Sequence, residues 1–152
     1  MEGRRGTSVT ASEYFENIER AARDREALAA RMRAMSEPHL GSSLSMAMGS
    51  GTSDPMARYD AIMDMEPRLR AEAKALDATI HEGREVIDGI GKLLGQPHAL
   101  ALELHYIGLH SWFEISIELK TSMATCYRWR TAAIDLVDER GIGAVKEAGR
   151  QG

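Results

Sequence analysis

Residues 111–130 read Ser-Trp-Phe-Glu-Ile-Ser-Ile-Glu-Leu-Lys-Thr-Ser-Met-Ala-Thr-Cys-Tyr-Arg-Trp-Arg, two helical phrases with a break between them. Ser111 and Glu114 have the spacing Ser-x-x-Glu, in which a hydroxyl and a carboxylate each satisfy an orphan backbone N–H at a helix start. Phe113 or Ile115, with Ile117 and Leu119, then supplies the apolar face of a short helix. Lys120-Thr121 interrupts it, and Ser122 is a good N-cap for a second helix. Behind Ser122, the residues Cys126, Trp129, Ala133 and Leu136 recur at three- and four-residue steps and so share one inward face. Met123, Ala124, Tyr127, Arg128 and Thr131 fall on the opposite face. Residues 120–134 contain three cations (Lys120, Arg128 and Arg130) and no acid, in a chain whose net charge is -4.

A short helix followed by one with arginines on its open face matches the way a helix-turn-helix lays its second helix in the major groove. Arginine can grip a guanine edge bidentately and also pairs with phosphate. The plainer alternative is a two-helix corner with solvated arginines, since such corners occur in many proteins that never touch nucleic acid.

The segment Tyr106-Ile107-x-x-His110-Ser111-Trp112-x-Glu114-Ile115-Ser116-x-x-Leu119-x-x-Ser122-x-x-Thr125-Cys126-Tyr127-Arg128 resembles the C-terminal module of phage late-transcription regulators of the ArpU/RinA type. That module is in turn similar to the promoter-reading C-terminal region of sigma factors. The resemblance extends loosely into the N-terminal helices, and its specific part is the segment quoted. It departs from the family pattern at Lys120, where the turn usually has glycine, and at Cys126, which replaces a branched aliphatic. With Lys120 in that place, the turn must either relax or hold a non-glycine residue in the left-handed region. The resemblance implies a sequence-specific DNA-binding transcriptional regulator of phage or prophage type. In it Met123, Ala124, Tyr127, Arg128 and Thr131 face bases, while Ser111, Lys120, Thr121, Ser122 and Arg130 face phosphates or position the helix. Tyr106, Ile115, Leu119, Cys126 and Trp129 would form the core of the module. The implied partner is double-stranded DNA, with RNA polymerase as a further candidate.

Elsewhere the pattern is helical. Thr10-x-x-Glu13 is a second capping box, opening a helix over residues 10–35 with Tyr14, Ile18, Ala21, Arg25, Leu28, Met32 and Met35 on one seam. Residues 1–9 are expected to be disordered, with Arg4-Arg5 more naturally solvated than bound to phosphate. Residues 37–53, rich in Gly and Ser, read as a flexible linker in which Leu44, Met46 and Met48 alternate. Asp54-Pro55 opens a second helix reaching Leu94, to be kinked or split at Pro67. Its seam is Leu69, Ala73, Leu76, Ile80, Gly83, Ile87, Ile90 and Leu94, and Gly83 on that seam suits close approach of another helix. Gly95-Gln96-Pro97 separates it from a support helix over residues 98–107, with Leu100 or Ala101, Leu104 and Ile107 inward. Beyond Gly141-Ile142-Gly143 a short, frayed tail is expected.

The fold expected is all-α: a helical hairpin or coiled coil over residues 10–95, then a three-helix helix-turn-helix unit over residues 96–140 that leans on the second long helix. The seam is too long for the first helix to cover, so its remainder is expected to meet a second copy or the C-terminal unit; this favours a homo-oligomer, a dimer before other states, over a monomeric three-helix bundle. One cysteine excludes an internal disulfide, and the Met-Glu-Gly-Arg-Arg start lacks the apolar region of a secretory signal. Without an apolar run of the ~20 residues a membrane span needs, the expected location is the cytoplasm, the host's if the protein is phage-encoded. No enzyme chemistry is expected. His98, His105 and His110 lack zinc-ligand spacing, Cys126 lies on the inward face, and Gly89-x-Gly91-x-x-x-Gly95 lacks the preceding strand and the lysine directly after its last glycine that a phosphate loop requires. No metal or cofactor is called for. The rival to a regulator is an oligomeric coiled-coil phage assembly protein or small DNA-packaging protein with a DNA-recognition domain.

Overall fold

The computed structural model describes residues 9–36 and 55–151. The expected linker, Arg4-Arg5 and the Asp54 cap lie outside the described residues. The chain is all-α. Among the described residues six α-helices run in order: α1 (Ala11–Ser36), α2 (Pro55–Leu93), α3 (Gln96–Leu102), α4 (Trp112–Glu118), α5 (Met123–Arg140) and α6 (Ile142–Arg150). Among the described residues there is no strand. None of these helices is long and apolar enough to cross a membrane. α2 passes through Pro67 as one helix, so of the kink or split expected there the split does not occur.

The chain groups into two compact units. In Asp24–Asp77, Leu28 of α1 is buried with Leu69 and Ala73 of α2, and Met32, Met35 and Leu76 pack beside them. Arg25, the charge on the α1 seam, is explained here: its Nε donates to Asp77 Oδ1 at 2.8 Å.

The other unit takes the start of α1, the end of α2 and everything after it. Its core joins Phe15 and Ile18 of α1, Val86, Ile87 and Ile90 of α2, Leu102 and Tyr106, and Ala133, Ile134 and Val137 of α5. The expected support of α5 by the second long helix is therefore present. α1 begins as its sequence predicts: Thr10 Oγ1 accepts from the Glu13 N–H and Glu13 Oε1 accepts from the Thr10 N–H, both at 3.1 Å. The next orphan N–H, that of Ala11, donates to Asp138 Oδ1 of α5 at 2.9 Å, so a distant helix completes the cap.

Three features correct the sequence reading. Phe15 and Val86 are fully buried although neither lies on the expected seams, and Leu94, expected on the α2 seam, is 37% exposed. The support helix is not uniform: after α3 the backbone widens into a π-helical turn, Glu103–Ile107, where the Gly108 N–H reaches back to Glu103 O. That turn buries Tyr106. The C-terminal stretch is not a frayed tail but α6, whose Val145 is fully buried in the main core.

α6 is admitted by glycine. A Cβ on Gly89 of α2 would fall on the carbonyl oxygen of Val145, and one on Gly149 would fall on the carbonyl oxygen of Glu85. Lys92 Nζ, donating to Gly149 O at 3.0 Å and to Gln151 O, satisfies carbonyls at the α6 C-terminus. Gly83 plays the smaller version of this role against Ile18, as its seam position predicts. Gly89→Ala is expected to lower stability by about 1–3 kcal/mol, because the obstructing atom is backbone and overpacking outweighs the helix-propensity gain. Gly143→Ala in α6, where a Cβ meets nothing within 4 Å, is expected to raise stability by roughly 0.5–1 kcal/mol. Urea unfolding of the two variants beside the wild type checks the contrast.

Candidate nucleic-acid interface

α4 and α5 are joined by residues 119–122. Ser111 caps α4 as predicted: its hydroxyl accepts from the Glu114 N–H at 3.1 Å, and Glu114 Oε1 accepts from the Ser111 N–H at 2.9 Å. That second bond holds the Glu114 carboxyl below the usual range. Ser122 caps α5, accepting from the Thr125 N–H at 3.1 Å. Between them Lys120 stands at φ 55, so the turn keeps the left-handed conformation rather than relaxing. The turn is closed by the Thr121 N–H donating to Ser116 O at 2.9 Å. Left-handed geometry strains a residue with a Cβ. Lys120→Gly is expected to raise stability by about 0.5–1 kcal/mol, after allowing for the extra freedom of glycine in the unfolded chain. Chemical denaturation reads that gain directly.

Ala101, Ile115 and Cys126 form a small buried core, with Leu104, Trp112, Leu119 and Trp129 packed around it. Of the alternatives left open, Ala101 and Ile115 are the inward residues. Leu100, Phe113 and Ile117 are 45%, 60% and 61% exposed, so Ile117 is not on the inward face as expected. Cys126 is fully buried, and burial pushes its thiol up, as suits a small core residue.

Met123, Ala124, Tyr127, Arg128 and Thr131 all stand exposed on α5, away from this core. Thr125 fixes one of them, Arg128. Its hydroxyl receives the Arg128 Nη2 donor at 2.9 Å and the Ser122 hydroxyl at 3.0 Å, so cap and guanidinium are linked along one side of the helix. Tyr127 leans on Trp112 of α4, with ring centroids 5.7 Å apart. Thr125 and Trp112 were not among the site residues read from sequence. The signal for Thr125 was its three-residue spacing from both Ser122 and Arg128.

Two predicted site residues stand apart. Arg130 is about 200° around the helix from Arg128. It is half-buried and donates from Nε to Tyr106 Oη at 3.0 Å. Ser111 lies at the far end of α4 from the turn, occupied with its cap. Lys120 is exposed in the turn itself and Thr121 is half-buried beside it.

Behind this face runs a chain of rings. Phe15 stacks on Tyr106 at 5.3 Å, Tyr106 meets Trp112 edge-on at 6.4 Å, and His105 stacks on Trp112 at 4.2 Å. His105 Nδ1 lies 2.9 Å from His110 O. Burial is the main cause that lowers the His105 pKa, with Arg130 and Arg23 acting in the same direction and Glu19 and the His110 carbonyl against it. His98, beside Trp129, is lowered by burial too. Both rings therefore stabilise the fold in the neutral form. That contribution is complete above the ordinary value of 6.5 and is lost as pH falls below it. The thermal midpoint is expected to drop on acidification through this range, and to drop less in His105→Phe, which keeps a ring on Trp112 without the titration.

Among the described residues no three His, Cys, Asp or Glu side chains converge to hold a metal ion. No family model, no curated protein and no solved structure matches the chain.

Proposed function

We propose that this protein is a sequence-specific DNA-binding transcriptional regulator of phage or prophage type, with α4 and α5 as its helix-turn-helix. α4 braces the backbone, and the front of α5 enters the major groove. One observation carries the reading. The acid-free stretch 120–134 presents Met123, Ala124, Tyr127, Arg128 and Thr131 to solvent from a helix whose other side is locked into the core. Met123 and Tyr127 on this face are 37% and 44% exposed. Lys120 and Thr121 in the turn and Ser122 at the cap are placed for phosphate, as are backbone N–H groups of the first turn of α5. A homodimer would set two such helices over paired half-sites and raise specificity.

The net charge of -4 opposes broad coating of nucleic acid, so binding should be selective and steeply weakened by salt. The test is fluorescence anisotropy of the full chain against tiled duplexes at two salt concentrations. A preferred tile whose affinity falls with salt supports the regulator. Uniform weak binding, or none, rejects it in favour of the oligomeric assembly or packaging protein, which the mass of the particle in solution would then report.

A further inference from the structure

The composition of the α5 front face restricts which bases it can read. This step rests on the DNA-reading function proposed above and deepens it. In the major groove, adenine is recognised through a paired acceptor and donor that suit Asn or Gln, and cytosine through an amino group that suits Asp or Glu. α5 contains no Asn and no Gln. Its first carboxylate is Asp135, about 18 Å along the axis from Met123. Neither the paired amide that grips adenine nor the carboxylate that accepts from cytosine is present at the front of this helix.

What is present suits the other two bases. Arg128, fastened to Thr125, is the one guanidinium on the face, since Arg130 is turned away to Tyr106. Around it the exposed groups are a thioether, a methyl, a phenol ring and a threonine methyl. Met123 and Tyr127 are one helical turn apart and form one row. Ala124, Arg128 and Thr131 form the next. Tyr127 is not a free side chain swinging in water, because its ring is packed against Trp112. Thymine is the base that displays an apolar group in the major groove, its C5 methyl, and such methyls are met by apolar side chains.

We propose that Met123, Ala124, Tyr127 and Thr131 form an apolar strip that reads thymine methyl groups flanking a single guanine held by Arg128. The ligand class is a short duplex in which runs of T·A pairs adjoin one G·C pair.

The experiment starts from a pool of duplexes with a randomised central segment, selected over several rounds with the full chain. The enriched duplex is then remade with deoxyuridine in place of thymidine, one position at a time and all together. That change removes the methyl and keeps the base pairing. The expected result is enrichment of thymine beside guanine, with affinity falling about fourfold for each contacted methyl removed. In Tyr127→Ala and Met123→Ala the difference between the thymine and uracil duplexes is expected to shrink at particular positions, with helix content unchanged. If a specific duplex is enriched but its deoxyuridine form binds equally well, the thymine strip is wrong and DNA reading stands. If no sequence is enriched, both the strip and the DNA-reading function fall.

Discussion

Phe15→Ala is expected to lower stability by about 3–5 kcal/mol, the range for truncating a buried aromatic residue and leaving a cavity. Phe15 is fully buried in a core cluster that includes Ile18 of α1, Ile87 and Ile90 of α2, Tyr106 of the π-helical turn, and Val137 of α5. These elements are fixed by their own packing and cannot collapse onto an alanine. The stacked contact with Tyr106 at 5.3 Å adds to the loss. The consequence reaches the candidate interface, because Tyr106 in turn receives Arg130 and meets Trp112. The chain has two phenylalanines, which makes the control simple. Phe113→Ala, at a residue 60% exposed, is expected to move stability by no more than about 0.5 kcal/mol. Guanidinium unfolding followed by Trp fluorescence separates the two. A Phe15 variant as stable as the Phe113 variant would mean that α1 does not brace the unit.

That contrast also shows where the sequence was readable and where it was not. Signals that act within a few residues were legible: the capping boxes at Thr10/Glu13 and Ser111/Glu114, the cap at Ser122, the stop at Gly95, and the inward set of Cys126, Trp129, Ala133 and Leu136. Each is decided by local hydrogen bonds or by helical period, and the structure keeps all of them. Phe15 escaped because α1 serves different partners along its length. Its start shares a core with α2, α5 and the π-helical turn through Ala11, Phe15 and Ile18, while its later part, among the described residues, packs on α2 through Leu28. One seam drawn through both averages two directions. α6 escaped because Gly143, Gly149 and a short length argue against a helix by propensity alone. What stabilises it is tertiary: Val145 in the core and the backbone contact that Gly89 allows. Helical period does not distinguish the π-helical turn from an α-helix, and it shows in the burial of Tyr106 and the Gly108 N–H bond to Glu103 O.

The candidate interface divides along the same line. Period alone placed Met123, Ala124, Tyr127, Arg128 and Thr131 on one exposed face. It could not separate Arg128 from Arg130, since both are long cations two residues apart in an acid-free stretch. The partner decides their roles. Arg128 has Thr125, three residues back on its own helix, which needs no long-range contact. Arg130 has Tyr106, from the π-helical turn, which helical period does not separate from an ordinary helix.

Exchanging each arginine for alanine is therefore expected to give two different defects. Arg128→Ala should leave circular dichroism and the unfolding midpoint essentially unchanged, because the side chain is exposed and its bond to Thr125 is a surface one. Its cost should fall on specific DNA binding, about 1–3 kcal/mol, or roughly 5- to 150-fold in affinity, together with relaxed selection at the guanine position. Lys is not an adequate substitute there, since a point charge cannot reproduce the paired donors that meet guanine O6 and N7. Arg128→Lys should recover non-specific affinity and not the base preference. Arg130→Ala should do the reverse. It leaves the Tyr106 hydroxyl, in a phenol whose pKa burial already raises, without its donor. Stability should fall by about 1 kcal/mol, with the base preference kept. Both variants are to be measured on the same selected duplex, by anisotropy for affinity and by denaturation for stability. If Arg130→Ala abolishes base preference while Arg128→Ala does not, the reading face is on the other side of α5, and the assignment of Met123, Ala124, Tyr127 and Thr131 to the bases fails with it.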